Sequence, residues 1–463
     1  MRFTMILAAA SAALLGSAAQ AQGGAPHEAQ ARAMLERVIT FRSAEGQKQV
    51  PPMAAYLAET LRAGGVAADE IAMLPLGETT GMLVRVAGRD SKAKPILFSG
   101  HMDVVDARPE DWTRDPFKLV EEDGYFFGRG VLDNKTGVVA LASTILRLRQ
   151  EGKRPQRTLV FAFVGDEEST FGTTKLIADH PWVKGAEFAI NTDAGDGILG
   201  PDGKPLIYLV QGAEKTYATF DVTATNAGGH SSRPRTDNAI YDLARALGKI
   251  GDYRFPVMSS ELTRAQLAAV GKVTPGETGG VLRRFAANPQ DKAAADALFV
   301  DPSFVGLTRT TCVATMLDAG HAENALPQRA NAKVNCRIFP GVAVEDVRRE
   351  LEQVIGNPAI AVKTTGDPVQ APASEPRKDV MEAIARDIHR RHPGIPVAPN
   401  LESGATDGVI YRMAGIPTFA SSGVFMKQED MFAHGLNERI PVKAFYESVD
   451  HIYRLAVDLG GAK

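Results

Sequence analysis

The residues best suited to chemistry in this 463-residue chain are histidines and carboxylates that follow apolar runs. His101 and Asp103 lie in the segment SGHMDVVD. Alternate residues of a strand face the same way, so Asp103 could orient the His101 ring. Glu167 and Glu168 are adjacent in GDEES. The other candidates are Asp133 in the Gly-rich segment GRGVLDNKTG, Asp193 in NTDAGDG and His434 in AHGLNE.

Together these side chains could hold two divalent metal ions. Two histidines and three carboxylates offer the mixed nitrogen and oxygen ligands that suit zinc. A carboxylate shared between the ions would hold them about 3.5–4 Å apart, as in two-metal hydrolases. Of two adjacent glutamates, one could bind a metal while the other takes a proton from a bound water. Each motif alone would more often be a surface pair, a turn or a solvated loop, and it is their joint occurrence that indicates a metal centre.

The apolar runs before these residues predict the elements that position them. Two helices are predicted within residues 28–65, and TGVVALASTILRLRQEG is predicted to be a helix that ends at a glycine. KPILFSGHMDVV, RTLVFAFVGDEES and EFAINTDAGDG are predicted to be buried strands that end in polar residues. Strands alternating with helices favour an α/β fold with a mostly parallel sheet covered by helices. Ligands bind at the carboxyl ends of the strands in such sheets, so the candidate residues should meet at one edge.

A change of pattern near residue 213 predicts a second domain. Residues 214–368 have the order strand, helix, two strands, helix, strand, which indicates a small α+β unit of βαββαβ type. The polar, helix-prone stretch 257–300 is interpreted as an insertion within that unit. The α/β pattern resumes after the Pro-rich segment DPVQAPASEP. We therefore expect a catalytic domain in two parts, residues 22–213 and 369–463, with an α+β domain inserted into it.

The chain has two cysteines, Cys312 and Cys336, which is too few for a disulfide scaffold. They lie symmetrically about residue 324 in two predicted strands, so a hairpin would place them opposite each other. A cross-strand disulfide could form in an oxidising compartment, although close cross-strand geometry often strains the bond. The sequence leaves both the bonded and the free state open.

Residues 1–21 predict a secretory signal peptide. Arg2 precedes an apolar run from Phe3 to Leu15, and the segment ends in the small-x-small sequence Ala-Gln-Ala. A buried N-terminal helix is the alternative. No later run of 18 apolar residues occurs, so no transmembrane helix is expected. The mature protein is expected to be periplasmic or secreted.

The composition is that of an ordinary globular protein. Hydrophobic residues make up 44% of the chain and charged residues 23%, with a formal net charge of -3. No Lys/Arg cluster occurs, so nucleic-acid binding is not expected.

Five motifs in a fixed order give the chain a resemblance to a known family: GHMDVV, GRGVLDNKTG, GDEES, GGHSS and SGATDG. It resembles the zinc metallopeptidases that include glutamate carboxypeptidase, acetylornithine deacetylase, succinyl-diaminopimelate desuccinylase, aminoacylase and carnosinase. The resemblance covers nearly all of the mature chain. It implies that His101 and Asp193 bind one zinc ion, that Glu168 and His434 bind another, and that Asp133 bridges the two.

The resemblance also implies catalytic roles. Asp103 would be the partner that orients His101. Glu167 would be the general base that activates the attacking water and then the acid that protonates the leaving amine. His230, in NAGGHSSRP, would stabilise the developing oxyanion, often from the partner subunit of a homodimer. The inserted domain would therefore serve as a lid and dimerisation domain.

Four further residues match substrate contacts of the family. Asn324, in AENALP, and Arg337, in NCRIFP, match a pair that holds a substrate carboxylate, to which an arginine can donate two parallel hydrogen bonds. Gly404 and Thr406, in SGATDG, match a loop that contacts the substrate backbone. Without the resemblance, His230 would be interpreted as a turn histidine and Arg337 as a surface strand residue.

The resemblance implies an enzyme that carries two Zn²⁺ ions per chain, or Co²⁺ or Mn²⁺ in their place, and cleaves amide bonds of small peptide-like substrates, and the predicted signal peptide implies that it is exported. Asp193 favours a dipeptidase or aminopeptidase, because family members with carboxypeptidase or deacylase activity often have glutamate there. A carboxypeptidase or N-acyl-amino-acid amidohydrolase is the alternative. A non-catalytic peptide-binding protein is a third hypothesis, and the complete ligand set argues against it. Asn134 follows Asp133 at a position where several family members have a different residue, and we expect this difference to have little effect. The stretch 257–300 is longer than in compact members.

Overall fold

The computed structural model of the protein describes residues 26–463, so the predicted signal peptide at residues 1–21 lies outside the described part. The helices are α1 (Pro26–Ile39), α2 (Val50–Ala63), α3 (Lys135–Gln150), α4 (Gly172–Asp179), α5 (Ala239–Asp252), α6 (Glu261–Val273), α7 (Gly276–Ala287), α8 (Lys292–Phe299), α9 (Val344–Ile355), α10 (Lys378–Arg391), α11 (Gly408–Met413) and α12 (Val442–Gly460). Among the described residues, none of the helices combines the length and the apolar character needed to cross a membrane.

The strands form two large sheets and two small ones. They are β1 (Ile71–Leu76), β2 (Thr79–Val86), β3 (Ile96–His101), β4 (Val120–Glu122), β5 (Tyr125–Phe127), β6 (Leu159–Val164), β7 (Phe188–Asn191), β8 (Gly197–Leu199), β9 (Pro205–Glu214), β10 (Thr216–Thr225), β11 (Gly229–His230), β12 (Thr311–Ala319), β13 (Ala325–Leu326), β14 (Arg329–Ile338), β15 (Ile360–Thr365), β16 (Val397–Glu402), β17 (Thr418–Ala420), β18 (Phe425–Lys427) and β19 (Arg439–Pro441).

The larger sheet has ten strands in the order β1-β2-β6-β3-β7-β17-β9-β8-β18, with β16 paired to β9. At its centre β3 runs parallel to both β6 and β7. Every residue of these three strands is buried, because helices cover both faces: α3 and α12 pack on one side, and α4 and α11 on the other. The predicted sheet is confirmed, and the carboxyl ends of β3, β6 and β7 lie at one edge.

The smaller sheet has the order β12-β14-β10-β15, and α5 and α9 pack on it around an apolar core. This is the βαββαβ arrangement expected from the sequence. Cys312 and Cys336 are opposite each other in β12 and β14, and a disulfide joins them. The proposed domain bounds at residues 213 and 368 remain predictions.

The stretch 257–300 forms the helices α6, α7 and α8, which pack against the larger sheet. Leu262 and Phe285 share an apolar cluster with Leu401 of β16. The Gln266 side chain donates to the Asn400 side chain and accepts a hydrogen bond of 2.9 Å from the Leu401 amide. The stretch was interpreted as part of the inserted unit, but its apolar faces are buried against strands of the larger sheet.

A buried charge network ties α10 to α12. Asp387 accepts a hydrogen bond of 2.6 Å from His451 Nδ1 and pairs with Arg390 and Arg391 at 2.7 and 3.1 Å. Burial by itself raises the pKa of the Asp387 carboxyl, but the hydrogen bond from His451 and the charges of the two arginines outweigh it and lower the pKa to about 2. Burial lowers the pKa of His451, whose Nε2 lies 2.8 Å from Ser421 Oγ.

We expect Asp387→Asn to lower the free energy of unfolding by about 2 kcal/mol at pH 7, which corresponds to a fall of the carboxyl pKa from 3.8 to about 2. A depressed pKa stabilises the fold above the unfolded value and loses that effect as the pH falls through the folded value. The difference between variant and wild type should therefore shrink between about pH 4 and pH 2. Denaturant titrations at both ends of that range measure it.

Asp379→Asn is the matched control, because Asp379 lies on the same helix in an exposed pair with Arg377. We expect it to change stability by no more than about 0.5 kcal/mol. A deficit of Asp387→Asn that is equally large at pH 2 would show that packing, and not charge, is responsible.

Candidate metal centre

The candidate ligands converge at the edge of the larger sheet where β3, β6 and β7 end. His101 is the last residue of β3. Glu167 and Glu168 follow β6 by three and four residues, and Asp193 follows β7 by two. Asp133 lies in the turn that leads into α3. His434 comes from the loop before β19, so the centre combines ligands that are far apart in the sequence.

Among the described residues, three overlapping groups of possible ligand atoms occur here, and two of them share Asp133. The third consists of His101, Glu167 and Glu168. His101 Nε2 lies 2.8 Å from Asp133 Oδ1 and 3.3 Å from Asp193 Oδ1. His434 Nε2 lies 3.1 Å from Asp133 Oδ2 and 2.9 Å from Glu168 Oε1. We call the first group, His101, Asp193 and Asp133, the inner position, and the second, Glu168, His434 and Asp133, the outer position.

The donor set fits two metal ions. Ligand atoms about 2.0–2.1 Å from a tetrahedral zinc ion lie about 3.3 Å from each other, which is close to the spacings in both groups. Each oxygen of Asp133 faces a different histidine, as a bridging carboxylate requires. The arrangement brings together all five ligands predicted from the sequence.

Asp103 contacts both His101 and the two glutamates. His101 Nδ1 lies 3.0 Å from the backbone oxygen of Asp103 but 3.5 Å from its carboxylate. The carboxylate instead accepts hydrogen bonds of 3.1 and 2.9 Å from the amides of Glu167 and Glu168. Asp103 therefore fixes the His101 ring chiefly through its main chain and fixes the two glutamates through its side chain, which leaves His101 Nε2 directed at the ligand group.

Glu167 has the environment of a general base. Its side chain is buried, and burial together with the charges of Asp193, Asp407 and Glu168 raises the pKa of its carboxyl, against the opposing effect of His101. No described residue donates a hydrogen bond to this carboxylate, although one of its oxygens lies within 4.8 Å of ligand atoms of His101 and Glu168. A carboxylate with a raised pKa can both take a proton and return it.

The two carboxylates beside His434 favour the protonated form of its imidazole. The hydrogen bonds with Asp133 and Glu168 raise the pKa of His434 to about 10. A histidine must lose its proton before it can bind a metal. Metal binding at the outer position should therefore release a proton at neutral pH.

A cavity of about 580 Å³ opens onto the ligand groups. Gly404 lines it. Thr406 also borders it, but its hydroxyl donates to Glu214 at 2.6 Å and accepts from the Asn191 side chain at 3.2 Å. Glu214 is itself paired with Arg412 in the interior. The Thr406 side chain therefore anchors the loop to the interior of the protein.

The three site residues predicted in the smaller domain, Arg337, His230 and Asn324, lie in two different places. Arg337 Nη1 donates to the Ser403 backbone oxygen at 2.8 Å, which brings its guanidinium to the loop that borders the cavity. His230 and Asn324 lie together elsewhere, where the Asn324 backbone oxygen accepts from the Ser231 amide. Neither residue lines the cavity of its own chain.

Two residues that support the centre were given no structural role from the sequence. Asn134 is buried and hydrogen-bonded to Thr192 through both ends of its amide. Glu438, in the same AHGLNE segment as His434, is a buried carboxylate that accepts the amide of Asp133. The only signal for Glu438 in the sequence is its place in that motif.

Comparisons with known proteins agree with this geometry. The model of peptidase family M20/M25/M40 matches residues 97–458. Probable carboxypeptidase S-like 2 of Dictyostelium discoideum is 30% identical over 383 residues, which is 80% of this chain and 72% of that protein. N-fatty-acyl-amino acid synthase/hydrolase PM20D1 of Xenopus tropicalis is 30% identical over 372 residues, 78% of this chain and 72% of that protein.

Solved structures share the fold. The M20 family metallo-carboxypeptidase Sso-CP2 from Sulfolobus solfataricus superposes with a TM-score of 0.67 at 20% identity, covering 93% of this chain and 99% of that one. The family match and the ligand groups at the sheet edge lead to one conclusion. The chain belongs to peptidase family M20/M25/M40 and is a metal-dependent hydrolase.

Proposed function

We propose that the protein is a two-zinc hydrolase that cleaves the amide bond next to a C-terminal amino acid, as a carboxypeptidase or N-acyl-amino-acid amidohydrolase does. The observation that carries this proposal is the position of Arg337 beside the cavity of the metal centre. Within the described chain, no carboxylate pairs with its guanidinium, which donates only to the Ser403 backbone and stacks on Tyr217. An arginine in this state is suited to bind the free carboxylate of a substrate.

The names of the relatives support the same substrate class, since they describe a carboxypeptidase and an N-fatty-acyl-amino acid hydrolase. Apolar residues of the cavity, Ile198, Leu209, Leu401, Val424 and Met426, would accommodate an apolar side chain or acyl group. Asp193 alone favoured a dipeptidase or aminopeptidase. These observations instead favour a carboxypeptidase or N-acyl-amino-acid amidohydrolase.

A dipeptidase is the second candidate. Two carboxylates, Asp196 and Glu402, also line the cavity. They could accept hydrogen bonds from the free amine of an unblocked dipeptide, which an N-acylated substrate lacks. Both candidates share the metal centre and the Arg337 contact, and they differ only in the group on the amine side of the scissile bond.

The chain's own residues account for the proton movements of the reaction. Bound metal ions would lower the pKa of the attacking water and polarise the scissile carbonyl. Glu167 would take the proton of that water and deliver it to the leaving nitrogen. Asp103 holds the amide of Glu167, which keeps the base at a constant position beside the ligand groups.

A substrate screen tests the proposal. Purified zinc-loaded protein is offered N-acyl amino acids, unblocked dipeptides and the matching C-terminal amides, with a chelator-treated sample as the control. We expect chelator-sensitive cleavage of the free-acid substrates and loss of cleavage for the amides. Cleavage restricted to unblocked dipeptides would favour the second candidate, and equal cleavage of acids and amides would contradict the role of Arg337.

We also propose that the protein is exported and works as a homodimer. The sequence of residues 1–21 and the Cys312–Cys336 disulfide support an oxidising compartment. The strand β12 is an outer strand of the smaller sheet, and more than half of the Val313, Met316 and Leu317 side chains is exposed on it. A free strand edge with apolar side chains is suited to pair with a second copy.

In such a dimer His230 would complete the site of the other subunit. We expect His230→Ala and Glu167→Ala each to be nearly inactive, with a loss of about 10²–10³-fold for His230→Ala. In mixed dimers formed by co-expression, one site in each heterodimer would have both residues, so activity should recover to about a quarter of the wild-type level. No recovery in the mixture, with heterodimers demonstrated by differential tagging, would contradict completion across subunits.

A further inference from the structure

Glu438 is buried and holds the turn that carries Asp133. Its Oε2 accepts hydrogen bonds from Arg129 Nη1 at 2.8 Å and the Gly130 amide at 2.9 Å. Its Oε1 accepts from the amides of Leu132 at 2.8 Å and Asp133 at 3.0 Å. One carboxylate thus fixes the main chain on both sides of the turn and directly at the bridging ligand.

Arg129 extends the same contact to His434. Its Nη2 donates to the backbone oxygens of His434 at 3.3 Å and Gly435 at 3.2 Å. The Gly128 amide donates to the Glu438 backbone oxygen at 3.1 Å. The side chain of His434 is about half exposed, so apolar packing does little to fix its position. The ion pair therefore joins the loops that carry two ligands of the outer position.

The inner position has separate supports. His101 is held by its place in the central strand β3 and by the Asp103 backbone oxygen. The Asp193 amide donates to Asn191 Oδ1 at 3.1 Å. Neither ligand contacts Arg129 or Glu438 among the described interactions. Asp133 is shared by both positions, but only the outer position has a second ligand, His434, that the ion pair holds. A disturbance of the ion pair should therefore weaken the outer position more than the inner one.

We infer that Glu438 and Arg129 are positioning residues for the outer metal position, where they set the distance between Asp133 and His434. A buried ion pair is a poor means of stabilising a fold, because its desolvation offsets much of its attraction. Groups that orient metal ligands affect metal affinity about 10- to 100-fold. The inference rests on the proposed two-metal function.

The variant Glu438→Gln tests the inference. Glutamine has the shape of glutamate. Its NH₂ group, however, would face two of the hydrogen-bond donors that now contact the Glu438 carboxylate. We expect the affinity for the first zinc equivalent to fall less than the affinity for the second, which should fall about 10- to 100-fold. Chelator competition titrations give both affinities. At zinc concentrations that refill the weakened position, kcat should return toward the wild-type value, which a general structural defect would not allow.

Two further variants make the result decisive. Glu187→Gln removes the ion pairs with Arg157 and Arg377 near the start of β7, at the far end of the sheet, and should retain two zinc equivalents at wild-type affinity. Arg129→Lys keeps a positive charge but lacks the second nitrogen that reaches His434 and Gly435. This variant replaces Glu438→Gln in the test if Glu438→Gln does not fold. It should show the same selective loss.

Unchanged affinity for both equivalents in Glu438→Gln, or an equal loss at both positions, overturns this inference and leaves the two-zinc proposal intact. A wild-type protein that binds fewer than two equivalents contradicts the two-zinc proposal itself, and the inference with it.

Discussion

Replacing Glu167 with glutamine is expected to lower kcat by about 10²–10⁴-fold, the usual contribution of a general acid-base group, while zinc content stays at the wild-type level. Glutamine fills the same space but cannot take a proton. Because the Glu167 carboxylate accepts no hydrogen bond from described residues, the substitution breaks no described side-chain contact. Steady-state kinetics and elemental analysis of the same preparation measure the two effects.

The neighbouring residue provides the matched control. Glu168 Oε1 lies 2.9 Å from His434 Nε2 in the outer position, so Glu168→Gln should lose metal as well as activity, and added zinc should restore part of the activity. Glu167→Gln should not respond to added zinc. A fully active Glu167→Gln enzyme would show that another group moves the proton.

Asp133→Ala is expected to have the largest effect on metal binding, because Asp133 is shared by the inner and the outer position. Its two oxygens lie 2.8 and 3.1 Å from the two histidines. Without it, each position keeps two protein ligands, fewer than the three that catalytic zinc sites usually have. We expect zinc content to fall well below two equivalents and activity to fall to the level of the chelated enzyme.

Asp193→Ala is the comparison for Asp133→Ala, since Asp193 belongs to the inner position alone. It should lose one equivalent and retain the outer one. If Asp133→Ala retains two equivalents of wild-type affinity, Asp133 does not bridge, and the assignment of the two positions would have to be revised.

The part of the centre carried by the central strands could be predicted from the sequence. The runs before His101, Glu167 and Asp193 are continuously apolar, which is typical of strands buried on both faces. Once three such strands are parallel, their carboxyl ends must meet at one edge of the sheet. His434 follows no such run, and its place was implied only by resemblance to a family.

The supporting contacts could not be predicted, because they are non-local and use the main chain. Glu438 accepts amides from a turn some three hundred residues earlier in the chain, and no local pattern encodes such a contact. Asp103 orients His101 with its backbone oxygen, an atom that every residue has. Side-chain types alone suggested the carboxylate instead.

Two features of the fold were missed for similar reasons. The helices of residues 257–300 are amphipathic, which shows that a face is buried but not which surface covers it. The strand β1 contains Pro75, which argues against a central strand. It is tolerated because β1 pairs with β2 alone, at the outer end of the sheet order.

The most direct test of the two-metal centre is anomalous diffraction at the zinc absorption edge from crystals of the zinc-loaded protein. We expect two peaks about 3.5–4 Å apart, one between His101 and Asp193 and the other between Glu168 and His434, with Asp133 between them. A single peak at this edge of the sheet, or zinc bound only by other residues, would contradict the account.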